Sequence, residues 1–177
     1  MQIISGKHKG RRIIAPKKLP VRPTAGMQKG SLFNILQNRY YFEGLTVLDL
    51  FSGTGNIAYE FGSRGAEKIM SVDAHYACVK FISKTAIELE LPIDSIKSDC
   101  FLYLKKTPEK FDIIFADPPY DMSQDKFEKI PKLVFERNLL TDKGILVIEH
   151  ASQMDLSTLP NFKNSRKYGG SIFSFFE

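Results

Sequence analysis

Residues 111–120, FDIIFADPPY, restrict the fold more than any other stretch of this chain. Phe111, Ile113, Ile114 and Phe115 make an apolar run of strand length, apolar enough to be covered by helices on both faces. Pro118 and Pro119 lack an N–H and have a fixed φ, so no sheet ladder continues through them, and Asp117 is biased towards extended backbone. The expectation is a stiff elbow just past a strand's C-terminal end, where open α/β sheets bind ligands. The residue after Pro118 has no amide to donate, which leaves the Pro118 carbonyl available beside the Asp117 carboxylate. Two adjacent acceptors suit the exocyclic amino group of a nucleobase, and Tyr120 offers a flat face to its ring. Taken alone, the same residues also read as loop punctuation. The rest of the chain decides between the two.

Five strand–helix alternations surround this elbow. Residues 46–51 (TVLDLF) read as a strand, followed by the turn Ser52-Gly53-Thr54-Gly55 and a helical run. Residues 68–73 (KIMSVD) and 93–98 are further strands, each with an acid at its end, Asp73 and Asp99. A helix is expected over 75–90, with Val79, Ile82, Ala86 and Leu89 on one face. A short helix over 101–106 precedes the central strand, and a helix over 126–140 follows it, with Pro131 in an early turn or at a kink. A turn at Asp142-Lys143-Gly144 then leads into a fifth strand, and the tail folds back as a hairpin about Gly169-Gly170. This pattern predicts a doubly wound α/β sheet ending in antiparallel edge strands.

Charge divides the chain unevenly. Residues 1–42 carry nine Lys and Arg and no acid, whereas the remainder carries 16 basic and 20 acidic residues. The expected organisation is a basic extension over 1–42 and an α/β body over 43–177. The extension begins with QIIS and RRIIA, a hairpin signal placing Lys7, Lys9, Arg11 and Arg12 at or near its tip, followed by a helix that Thr24 could cap. A basic arm on an acidic body suggests a polyanionic partner, the alternative being a solvated face. Cys78 and Cys100 are widely spaced and the three histidines are scattered, so neither a disulfide framework nor a metal site is expected. No run is long enough to span a bilayer and the N-terminus has no apolar signal segment, so the expected location is cytoplasmic. A monomer is the default expectation.

The cofactor reading starts from Gly53-Thr54-Gly55-Asn56-Ile57-Ala58, a G-x-G-x-x-A turn between strand and helix, which lets a ligand approach the backbone. Asp73 follows 18 residues after Gly55, placed to grip ribose hydroxyls. A dinucleotide and S-adenosylmethionine both fit so far. Asp49, four residues before Gly53, would repel a pyrophosphate but could hold an amino group. Asp99-Cys100 could receive an adenine edge, and a DPPY turn has no use in nicotinamide chemistry. Each acid alone could be a helix N-cap; four acids at four successive strand ends make that reading improbable for all of them.

DLFSGTGN, SVD, SDCF and DPPY together resemble a class I S-adenosylmethionine-dependent methyltransferase of the amino-methylating kind. With SGKHKGRRI and VRPTAGMQKGSLFNIL, the chain resembles the family that methylates guanine N2 in 16S ribosomal RNA, over nearly its whole length. The resemblance implies a Rossmann-like seven-stranded sheet with an N-terminal β-hairpin extension. It implies S-adenosylmethionine held by Asp49, Phe51, Gly53, Gly55, Asp73, Ala74, Asp99 and Cys100, and a catalytic turn of Asp117, Pro118, Pro119 and Tyr120. It implies ribosomal RNA, or an assembling small ribosomal subunit, as partner, contacted by Lys7, Lys9, Arg11, Arg12, Arg22 and Thr24. The chain departs from the family pattern after Arg22-Pro23-Thr24, where Ala25-Gly26-Met27-Gln28-Lys29-Gly30 replaces an acidic–basic run and keeps only Lys29. The alternatives are a DNA adenine-N6 methyltransferase, a non-catalytic RNA-binding or assembly protein, and an NAD-dependent oxidoreductase. The hairpin and the glycine turn are read as separate surfaces.

Overall fold

A computed structural model describes residues 1–19 and 28–177 in full, and residues 26 and 27 by their backbone alone. Arg22 and Thr24, expected to contact nucleic acid, lie outside the described residues.

In chain order the elements are α1 (Gly26–Gln37), β1 (Thr46–Leu50), α2 (Asn56–Ser63), β2 (Lys68–Asp73), α3 (Tyr76–Glu88) and β3 (Ile93–Lys97). Then come α4 (Cys100–Lys106), β4 (Phe111–Ala116), α5 (Gln124–Glu136), β5 (Leu140–Ala151), β6 (Phe162–Tyr168) and β7 (Ser171–Phe176). The seven strands form one sheet in the order β3-β2-β1-β4-β5-β7-β6. The first five are parallel, and β7 inserts antiparallel between β5 and β6. This is the Rossmann-like seven-stranded sheet that the motifs implied, with one difference: of the two terminal strands only β7 runs against the rest, because β6 reverses direction again.

The central strands are buried on both sides, and alternate residues feed two cores. Val47, Ile113 and Phe115 pack with Phe33, Phe61 and Ile82 on one face. Leu48 and Ile114 pack with Leu104, Phe127 and Ile130 on the other. The order reverses between β1 and β4, so the crevice beyond the C-terminal ends of these two strands is the topological switch point.

Two local expectations change. The turn expected at 142–144 lies inside β5, which runs unbroken past an irregularity in its pairing with β4. A Cβ on Gly144 would come within 2.9 Å of the Phe111 carbonyl oxygen, so the glycine admits a close backbone approach rather than a chain reversal. The helix expected over 126–140 starts earlier and stops at Glu136, ahead of Asn138 at φ 53°.

The N-terminal hairpin is shorter than its sequence suggests. A single antiparallel bridge joins Gln2 and Arg12, with Ile3 N–H donating to the Arg11 carbonyl at 3.0 Å and Gly10 N–H to that of Ile3 at 2.9 Å. Ile3 and Ile13 are buried in the same core as α1 and α2. The loop is docked on the end of α2: Lys7 N–H donates to the Ser63 carbonyl at 2.7 Å and His8 N–H to Ser63 Oγ at 2.9 Å. Gly6 makes the approach feasible, since a Cβ there would lie 1.7 Å from the Ser63 oxygen.

Candidate functional site

A cavity of about 490 Å3 opens at the switch point. It is lined by Asp49, Phe51 and Gly53 from the end of β1 and its turn, Asp73 and Ala74 after β2, Asp99 and Cys100 after β3, and Asp117, Pro118, Pro119 and Tyr120 after β4. The expected catalytic turn and all but one of the expected cofactor residues therefore meet in one place.

Gly55 is the exception. It stands at φ 80° as the residue before α2, and an added Cβ would fall 2.8 Å from the Tyr59 ring and 2.9 Å from the Ile82 side chain. Backbone conformation and helix packing are enough to require glycine here. Gly53 plays the exposed part of the turn: its N–H donates to Asp73 Oδ2 at 2.8 Å, which ties the β1 turn to the end of β2. The other oxygen, Asp73 Oδ1, accepts from His75 N–H at 2.8 Å. Phe51, at φ 57°, is a non-glycine residue in the left-handed region, a conformation that surrounding structure must hold in place. Its ring meets Phe101 edge-on at 6.4 Å.

The four strand-end acids do different work. Asp99 is an N-cap, its Oδ1 accepting from Leu102 N–H at 2.9 Å, so the bland reading holds for one of its oxygens. Asp49 is the opposite case. It is buried, its Oδ2 has no hydrogen-bond partner among the described residues, and burial, with Asp73 nearby as the second cause, pushes its carboxyl up to about 8. An orphaned buried carboxylate in a cavity wall calls for a cation. The amino group of S-adenosylmethionine meets that need, and a pyrophosphate would aggravate it. Burial likewise pushes the Cys100 thiol up to about 12, so this cysteine is a neutral wall and no nucleophile.

After β4 the chain reverses through Pro119, whose carbonyl accepts from Met122 N–H at 2.9 Å. The turn thus uses the Pro119 carbonyl, and among the described residues no backbone bond claims that of Pro118. Tyr120 is half-exposed, with its hydroxyl 3.2 Å from Ser171 Oγ, which in turn accepts from Gln28 Nε2 at 2.9 Å. This ties the ring in place from β7 and α1.

Sequence reasoning missed Gln28, Asn56 and Glu149 in the cavity wall. Glu149 was findable, because it is a fifth acid towards the end of a fifth parallel strand, the same signal that singled out the other four. Gln28 carried no local signal, since a long-range fold brings α1 over the cavity.

The hairpin and the glycine turn, expected to be separate surfaces, are joined through a buried ionic cluster. Lys29 Nζ donates to the Gln2 carbonyl at 2.7 Å and to Asn56 Oδ1 at 2.8 Å, and lies 3.2 Å from Glu60 Oε2. Glu60 is fully buried and also accepts from Ile4 N–H (2.9 Å), Ser5 N–H (3.0 Å) and Arg64 Nε (2.9 Å). The one charge kept in the altered 25–30 turn therefore has a structural post between arm and cavity. Lys7 and Lys9 lie away from the cavity, Lys7 pairing with Glu90 across 3.4 Å at the surface.

A mixed sheet in this order, with a cavity at its switch point walled by acids from successive strand ends, is that of a class I S-adenosylmethionine-dependent methyltransferase. The whole chain, residues 1–177, matches the model of the family described as conserved hypothetical protein 95, and the chain belongs to that family. YlbH of Bacillus subtilis is 32% identical over 161 residues, 88% of this chain and 85% of that one. Ribosomal RNA small subunit methyltransferase D of Buchnera aphidicola subsp. Baizongia pistaciae is 31% identical over 163 residues, 91% of this chain and 82% of that one. Among solved structures, the Thermus thermophilus 16S rRNA N2 G1207 methyltransferase RsmC, in complex with AdoMet and guanosine, superimposes with a TM-score of 0.70. It is 21% identical, over 89% of this chain and 44% of that one. No helix among the described residues is long and apolar enough to cross a membrane.

Proposed function

We propose that this protein methylates the exocyclic N2 of a guanine in small-subunit ribosomal RNA. The observation that carries the reading is the pairing of the Asp117 carboxylate with the uncommitted Pro118 carbonyl, on the wall of the cavity that also contains Asp49 and Asp73. The relatives named as small-subunit methyltransferases supply the substrate class, and the guanosine complex of the structural neighbour supports an amino-bearing purine.

Bound S-adenosylmethionine supplies an electrophilic methyl group. The chain's own task is positioning. An exocyclic amine on a purine is a poor nucleophile because its lone pair is delocalised into the ring. Asp117 and the Pro118 carbonyl accept its two N–H bonds and turn the lone pair towards the donor. Alignment of this kind supplies up to about 7–11 kcal/mol of a barrier. The methylated nitrogen is strongly acidic, so Asp117 takes the released proton without a tuned pKa. Tyr120 stacks on the base, worth about 1–3 kcal/mol by analogy with single-strand binders, and a paired guanine first leaves its helix. Mass spectrometry of nucleosides from small-subunit RNA, with and without the protein, tests the reading. A missing N2-methylguanosine in the deletion strain supports it; an unchanged nucleoside profile overturns it.

A further inference from the structure

A second concavity, of about 540 Å3, lies between residues 11–19 and the outer face of α3. Ala77, Lys80, Phe81, Lys84 and Glu88 recur at helical i, i+3 and i+4 spacing along one side of α3 and form one wall. Arg11, Arg12 and Lys18 form the other. Among the described residues, five cations thus face one acid, Glu88, which already shares Lys84 across 3.7 Å. The wall from Ala77 to Glu88 spans about 17 Å at 1.5 Å per residue. Its upper end, Ala77, lies two residues from His75, which lines the switch-point cavity. Ile14, 89% exposed at the groove, adds an apolar contact for a sugar or base.

We propose that this groove binds the RNA backbone that flanks the target base, with Arg11, Arg12, Lys18, Lys80 and Lys84 on its phosphates. The inference rests on the reading of the substrate as RNA and relocates the RNA face. The loop tip, whose backbone is committed to Ser63, is secondary to α3. Lys80 and Lys84 belong to the methyltransferase body and lie outside the basic extension, so the body itself holds the strand.

The test is a salt titration of binding to a fluorescent oligouridylate, which reads phosphate contacts without sequence. Wild type is compared with K80A/K84A and with K105A/K106A, a control pair at the end of α4 on the other side of the sheet. K80A/K84A should reduce the slope of log affinity against log salt by about 1.4, at about 0.7 per single-strand phosphate. It should leave S-adenosylmethionine affinity and the melting temperature unchanged; the control should keep the wild-type slope. Equal slopes for wild type and K80A/K84A, an equal loss in the control, or no binding by wild type would each overturn the proposal. A slope change without any methylguanosine product would keep the groove and discard the guanine reading instead.

Discussion

Replacing Asp49 by asparagine should produce a protein that is more stable and unable to hold its cofactor. The carboxyl is buried at the end of β1, with Oδ2 unpartnered among the described residues and its ionisation pushed from 3.8 to about 8. Below pH 3.8 the group is protonated in both folded and unfolded chains and costs nothing. Between 3.8 and about 8 the folded protein keeps a proton that the unfolded chain has released, so stability falls as pH rises; above 8 the penalty is constant. At about 1.36 kcal/mol per pH unit, the stretch from pH 5 to 8 accounts for about 4 kcal/mol. Asparagine, isosteric and neutral, carries no such penalty. The melting temperatures of wild type and Asp49→Asn should therefore separate by roughly 8–16 °C across that range, at about 2–4 °C per kcal/mol for a chain of this size. Cofactor affinity should move the opposite way. In wild type, binding a cationic amino group requires Asp49 to ionise, so affinity should rise by up to about tenfold per pH unit below 8, and Asp49→Asn should lose both the affinity and its pH dependence. Scanning calorimetry at several pH values, with cofactor titration in parallel, makes the measurement. Melting curves that keep a constant separation between pH 5 and 8, or unchanged cofactor binding in the variant, would refute the reasoning.

Glu60→Gln should cost about 3–5 kcal/mol, because it leaves Lys29 buried without its counterion; Lys29→Met should cost less, since Arg64 still balances Glu60. Denaturant unfolding of both singles and the double variant measures this, and a double variant no better than Glu60→Gln would contradict it. Asp73→Ala should weaken S-adenosylmethionine binding by at least the roughly 1.5–3 kcal/mol of a charge-assisted bond, with an added loss because Gly53 N–H and His75 N–H are left without their acceptor; isothermal titration reads it. Asp117→Ala should abolish methyl transfer while sparing cofactor affinity, seen as lost turnover at an unchanged cofactor dissociation constant. Tyr120→Phe keeps the stacking face but loses the tether to Ser171, so it should lower turnover less than Tyr120→Ala yet measurably, and Ser171→Ala should reproduce the Phe effect.

The sequence alone determined the strand–helix alternation and the positions of Asp49, Asp73, Asp99 and Asp117 at strand ends. Periodicity and Pro or Gly punctuation are local properties, and an acid after an apolar run is visible without knowing what lies beside it. What each acid does was decided by its neighbours. Asp99 is spent in part on capping α4, Asp73 clamps two backbone amides, and Asp49 is left with an orphaned oxygen. No local pattern separates these fates, because they depend on burial and on donors many residues away in sequence. The same holds for Gly55, which reads as a ligand-facing glycine but is held by Tyr59 and Ile82, and for Gln28 and Glu149, which reach the cavity only once α1 and β5 are packed. Lys29 is the clearest case. In sequence it is one more charge in a basic arm, yet folding encloses it between Gln2, Asn56 and Glu60. Burying a charge is tolerated only where partners converge on it, and that convergence is a property of the tertiary structure.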